Sequence, residues 1–148
     1  VKGMNAGKTL HALLDEIRLP AQLEVGEGYG TVRWSVQAIW EHYAGWFHHE
    51  STTELYTIPR RAIHGDLVEL AGGATALVER ARAKLEAGRH EEAIHLLDVV
   101  LSEPAPPAAA FEVAIAVHRA LAKQSVNFWL SAWLNEQIER LEARAKHA

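Results

Sequence analysis

Apolar residues recur at helical spacing from one end of the chain to the other, and no stretch sustains the period-two alternation of a half-buried strand. That periodicity predicts an all-α fold. Leu10, Leu13, Leu14 and Ile17 at i, i+3, i+4 and i+7 mark a first helix. It closes before Pro20, because the residue preceding a proline is pushed out of the α region. A loop with Gly26, Gly28 and Gly30 leads to a second helix over about residues 31 to 46. The third is predicted from Pro59, harmless in a first turn, to Gly72 and Gly73. Ala74, Leu77, Val78, Ala81 and Leu85 line the fourth, which breaks at Gly88, and the fifth runs from near His90 to Pro104. Beyond a stiff connector with Pro106 and Pro107, the sixth places Phe111, Ala114, Ile115, His118, Leu121 and Ala122 on one face. The seventh starts near Ser125. About seven helices with short loops imply antiparallel neighbours.

The fourth and fifth helices follow the order of a tetratricopeptide hairpin: Ala81, Gly88 seven residues on, Ala93 five after that, and a proline at position 104. Gly88 allows the tight turn, and the two alanines allow close approach. One such pair cannot bury its own face, so the sixth and seventh helices are expected to stack on it. The length of 148 residues suits one domain over 1–148, with N-terminal helices and loop over 1–58 and tetratricopeptide-like helices over 59–148.

Charge and cysteine content narrow the function classes. A formal net charge of -4 without a basic cluster argues against nucleic acid. The chain has no cysteine, which removes disulfides, thiolate zinc sites and a Cys nucleophile together and favours a cytoplasmic location. No apolar run reaches the roughly 20 residues of a membrane span.

Three motifs invite catalytic readings, and two of them fail on spacing. In His90-Glu91-Glu92-Ala93-Ile94-His95 the histidines stand five apart, whereas a helical zinc site needs four, so the imidazoles diverge by roughly 140°. This stretch reads as a helix start. Gly7-Lys8-Thr9 ends like a phosphate-binding loop, but Lys2 stands where the upstream glycine belongs, so Thr9 reads as a helix N-cap. His42, His48, His49 and Glu50 form a His-rich cluster that reads as a solvated helix end complementing the dipole. His118, within an apolar stripe, reads as a hydrogen-bonded core histidine. No nucleophile triad is visible, and no catalytic residue, metal ligand or cofactor is assigned.

The second helix is the informative one. Val32, Val36, Ile39, Trp40, Tyr43 and Phe47 form one stripe, and Trp34, Ala38, His42 and Trp46 another, leaving a narrow polar wedge around Arg33, Gln37 and Glu41. Such a helix needs cover on two sides, from another helix of the chain or from a second copy. The seventh helix carries a similar excess in Phe128, Trp129 and Trp133. Aromatics of this kind concentrate in association surfaces. Trp34, Ala38, His42, Trp46, Phe128, Trp129 and Trp133 are therefore the candidate interface residues.

Several segments together resemble the dimerisation domain of alkyl sulfatases, hydrolases of the metallo-β-lactamase fold. They are Met4-Asn5-Ala6-Gly7-Lys8-Thr9, Ile17-Arg18-Leu19-Pro20, the run from Tyr29 to Ile39, Gly45-Trp46-Phe47, Leu55 to Pro59, and Val68 to Gly73, with the helical hairpin after them. The resemblance implies a helical domain that interlocks two subunits, so the expected partner is a second copy of the chain. It also implies association with a metallo-β-lactamase-fold domain, in one chain or separate. The family's His-x-His-x-Asp-His signature occurs nowhere in the sequence, so its binuclear zinc site has no ligands to carry over. The expected function is a non-catalytic homodimerisation module. The alternatives are an aromatic-lined binding module for apolar ligands or peptides and the helical half of a split metallo-hydrolase.

Overall fold

The computed structural model describes residues 1–48 and 50–147. Among them lie eight α-helices: α1 Lys2–Asn5, α2 Leu10–Glu16, α3 Val32–Ala44, α4 His64–Leu70, α5 Ala74–Glu86, α6 His90–Leu101, α7 Ala108–Gln124 and α8 Phe128–Ala145. The described residues include no strand, and the fold is all-α. The eighth helix, against about seven expected, is the four-residue turn α1, too short to show a period. Single 3-10 turns occupy Ala21–Leu23, Thr52–Leu55 and Arg60–Ile63. The last of these occupies the start of the third predicted helix, where Pro59 is extended and α4 follows.

Two compact units divide the chain, one of Val1–Ile58 with Val126–Trp129 and one of Pro59–Ser125 with Leu130–Ala148. In the second, α5 packs most extensively on α6, and α6 on α7. Its core contains Val78, Ala81, Ala93, Leu97, Val100, Phe111, Val113, Ala114 and Val117. Ala81 and Ala93 are completely buried, as close helix approach requires. Gly88 turns α5 into α6 at φ 72°, and its N–H and that of Arg89 return to the carbonyls of Leu85 and Lys84. Nothing surrounds a side chain added at Gly88, so backbone strain alone should set the effect of a substitution. Gly88→Ala is expected to destabilise this unit by about 1–2 kcal/mol, the left-handed penalty of an L-residue. Urea unfolding of the two proteins measures it.

The first unit is built differently. Thr9 caps α2 by accepting from the Ala12 N–H at 3.2 Å, and Thr31 caps α3 by accepting from Trp34 at 3.0 Å. Helix α2 packs on α3. Yet its buried side chains, among the described residues, are Leu13, Val36 and Asn127. A pair of apolar side chains is a very small core for a unit of this length.

Candidate interaction surface

The apolar side chains that the first unit leaves uncovered are large. On α3 Trp34 is 42% exposed, Ile39 49% and Tyr43 62%. Ala38 and His42 are exposed too, so Trp34, Ala38 and His42 share one open face of α3 at i, i+4 and i+8. Trp46 departs from the predicted stripe. Gly45 at φ 72° ends the helix after Ala44, so Trp46 and Phe47 lie beyond it and no helical register carries them. Trp46 is nonetheless 71% exposed and stacks in a tilted contact on Phe47, with ring centroids 5.9 Å apart.

Phe128 and Trp129 form a second exposed aromatic group of the same unit, with Tyr29 as its third member. Ring centroids stand 5.7 Å apart for Tyr29 and Phe128, and 5.3 Å for the T-shaped Phe128 and Trp129 pair. Two hydrogen bonds to loop carbonyls fix the group: the Phe128 N–H donates to the Gly28 carbonyl at 2.6 Å, and the buried Asn127 side chain donates through Nδ2 to the Glu27 carbonyl at 2.7 Å. Sequence reasoning missed Tyr29 and Asn127. The available signal was Asn127 itself, a favoured helix-capping residue just before an aromatic run. Trp133, the remaining candidate, belongs to the second unit, where it is 55% exposed and lines a groove of about 610 Å³ with Leu130, Leu134, Leu121 and Ile94.

The segment after α3 is held by charge. Glu54 closes a capping box with Ser51 and accepts from the backbone N–H groups of His48 at 2.7 Å, Ser51 at 2.9 Å and Glu50 at 3.2 Å. The His48 N–H first, then those of Ser51 and Glu50, keep its carboxyl below the usual carboxylate range. The His48 ring meets Glu41 of α3, Nε2 to Oε2, at 3.1 Å. That hydrogen bond to the Glu41 carboxylate, with the charges of Glu41, Glu54 and Glu50 behind it, raises the His48 pKa above its ordinary value. The tie is therefore fully present below about pH 6.5, the unfolded value, and fades as pH rises through the raised folded one. An NMR titration is expected to find His48 titrating above an ordinary histidine, and Glu41→Gln should lower it toward the ordinary value.

His49 of the predicted His-rich cluster lies outside the described residues. Among those described, no three His, Asp or Glu side chains stand close enough to hold a metal ion. At the former zinc-like stretch, His90 is buried at the start of α6 and His95 is exposed. His118 bonds through Nδ1 to the Ala114 carbonyl at 2.8 Å, as expected of a hydrogen-bonded histidine, but it is half-buried on the wall of the groove beside Trp133 rather than in the core. No helix among the described residues is long and apolar enough to cross a membrane.

Comparison with known proteins finds relatives of one kind. The family model for alkyl sulfatase dimerisation matches residues 9–143. An (R)-specific secondary-alkylsulfatase of Pseudomonas sp. is 30% identical over 108 residues, which are 69% of this chain and 16% of that protein. An alkyl/aryl-sulfatase of Saccharomyces cerevisiae is 30% identical over 89 residues, 57% of this chain and 14% of its own length. Among solved structures, a double mutant of a sec-alkyl sulfatase superposes with a TM-score of 0.84 at 25% identity, over 95% of this chain and 23% of that one. The chain thus spans only a small fraction of the proteins it matches.

Proposed function

Because the chain belongs to the alkyl sulfatase dimerisation family, we propose that it is a homodimerisation module, without chemistry of its own, that holds two copies of an alkyl-sulfatase-type hydrolase together. The observation that carries this reading is the imbalance of the first unit, which buries Leu13 and Val36 while leaving Trp34, Ile39, Tyr43, Trp46, Phe128 and Trp129 in solvent. Large aromatics near the centre of an interface contribute most of its binding energy. Contiguous exposed apolar surface is rare on monomers that work alone. The contact surface is the open face of α3 with Trp34, Ala38 and His42, joined by Trp46 and by the Phe128 and Trp129 group.

The chemistry belongs to a catalytic portion of the metallo-β-lactamase fold, in the same polypeptide or a separate one. Supporting this division, the chain covers 16% of an (R)-specific secondary-alkylsulfatase and holds no His-x-His-x-Asp-His motif. Co-expression of two differently tagged copies tests the central part. Purification through one tag is expected to recover the other copy in comparable amount. Recovery of the tagged copy alone would oppose the reading.

A further inference from the structure

The groove beside Trp133 exists because the two halves of α8 are seated differently. The second half belongs to the core: Leu141 is buried in the cluster that contains Phe111, and Arg144 donates to the Leu101 carbonyl at the end of α6. The first half lines open space instead. Leu130, Trp133 and Leu134, at i, i+3 and i+4, form an apolar wall of a groove of about 610 Å³, with Glu91 and Asp98 of α6 and His118 of α7 among its other walls. A concave site of this volume, mostly apolar with a few polar groups, is of the kind that holds a small molecule.

Its charge has one sign. Glu91 and Asp98 line it, and no Lys or Arg does. Among the described residues neither carboxylate has a hydrogen-bond or ion-pair partner, whereas Glu92, the next residue of α6, is engaged by both Lys84 and Arg89. The acids of α6 that the chain can neutralise thus lie away from the groove, and the two that it leaves unpaired lie on it. His118 adds to the acceptors: its Nδ1 donates to the Ala114 carbonyl, which in the neutral ring leaves Nε2 to accept. Trp133, more than half exposed, offers an aromatic face of the kind that attracts a cation.

We propose that this groove binds a small organic cation, a primary ammonium ion on an apolar chain or ring. The apolar body lies against Leu130, Trp133 and Leu134, and the ammonium, with three N–H donors and no acceptor, meets the acidic wall of α6. Glu91 and Asp98 stand seven residues apart, about 10 Å along the helix, so one carboxylate pairs directly with the ammonium and the other adds its field. The same two charges disfavour an anionic amphiphile of equal chain length. Every group involved lies in the second unit of one chain, so the site stands whether or not two copies associate.

Octylammonium, octanol and octyl sulfate share a chain and differ in head group, so titrating the full chain with each isolates the charge. The Trp133 indole N–H resonance, assigned through Trp133→Phe, separates this groove from the exposed aromatics of the first unit. Octylammonium is expected to shift that resonance and to bind about tenfold more tightly than octanol, with octyl sulfate weaker than either. Glu91→Gln with Asp98→Asn keeps the size of both exposed side chains, so helicity by far-UV circular dichroism should not change. The double variant is expected to lose the tenfold preference while binding octanol as before. Equal affinity for the three head groups would overturn the proposal and leave only an unselective apolar surface. A preference for octylammonium that survives the double variant, or an unmoved Trp133 resonance, would overturn it as well.

Discussion

Trp34→Ala combined with Trp46→Ala is expected to weaken self-association by about 4 kcal/mol, near a thousandfold in dissociation constant, with helicity unchanged. The size follows from hot-spot behaviour, in which truncating a central interface tryptophan costs at least about 2 kcal/mol. The unchanged fold follows from exposure: Trp34 and Trp46 are 42% and 71% open to solvent, so little of the core depends on them. Because Trp46 lies beyond Gly45 and off the α3 register, the single variants also discriminate between surfaces. A loss confined to Trp34→Ala would place the contact on the helix face with Ala38 and His42. A loss confined to Trp46→Ala would move it to the segment beyond. Sedimentation over a dilution series reads both, and an unchanged dimer in the double variant would take this surface out of the account.

Phe111→Ala should cost the second unit about 3–5 kcal/mol, as expected for deleting a fully buried phenylalanine. Phe111 is 2% exposed in α7, within the cluster that joins α5, α6 and α7, and the Arg144 guanidinium lies 5.2 Å from its ring centroid. Arg144 also donates through Nη2 to the Leu101 carbonyl at 2.8 Å, so it ties α8 to the end of α6. Truncating the ring therefore opens a cavity and removes a cation–π contact together. Trp133→Ala, on the exposed rim of the groove, should change stability far less. Denaturant unfolding of both variants compares the two. Equal losses would mean that the core does not centre on Phe111.

The helices were largely legible because their ends are written in single residues. Thr9 and Thr31 are N-caps with side-chain bonds to match, and Gly88 adopts the left-handed conformation that its place between two helical patterns demanded. Other boundaries moved where local chemistry competed with periodicity. The pattern of α3 continues apolar to Phe47, but Gly45 ends the helix at Ala44, since a residue with φ 72° and ψ -160° cannot extend it. The last helix starts at Phe128 rather than near Ser125. Ser125 is extended, and Asn127 and Phe128 are bonded to the loop carbonyls of Glu27 and Gly28, a hundred residues away in the chain. No window of sequence shows such a pairing.

The apolar excess of α3 was legible, and its exposure is what the structure adds. Too many apolar faces on one helix required cover, and Trp34, Ala38 and His42 do lie open on α3. How little the first unit buries was not legible, because periodicity says which residues seek cover and not whether the chain supplies it. The groove beside Trp133 was hidden for a related reason. Its walls are drawn from positions between Glu91 and Gln137 on three helices, and only their packing brings the acidic and apolar lining together.

Light scattering coupled to size exclusion, run over a concentration series, tests the central claim most directly. A stable mass near twice 16.4 kDa is the result that self-association through this family's dimerisation domain predicts. A mass of 16.4 kDa at every concentration would contradict it, and the exposed aromatics of the first unit would then require a cover other than a second copy.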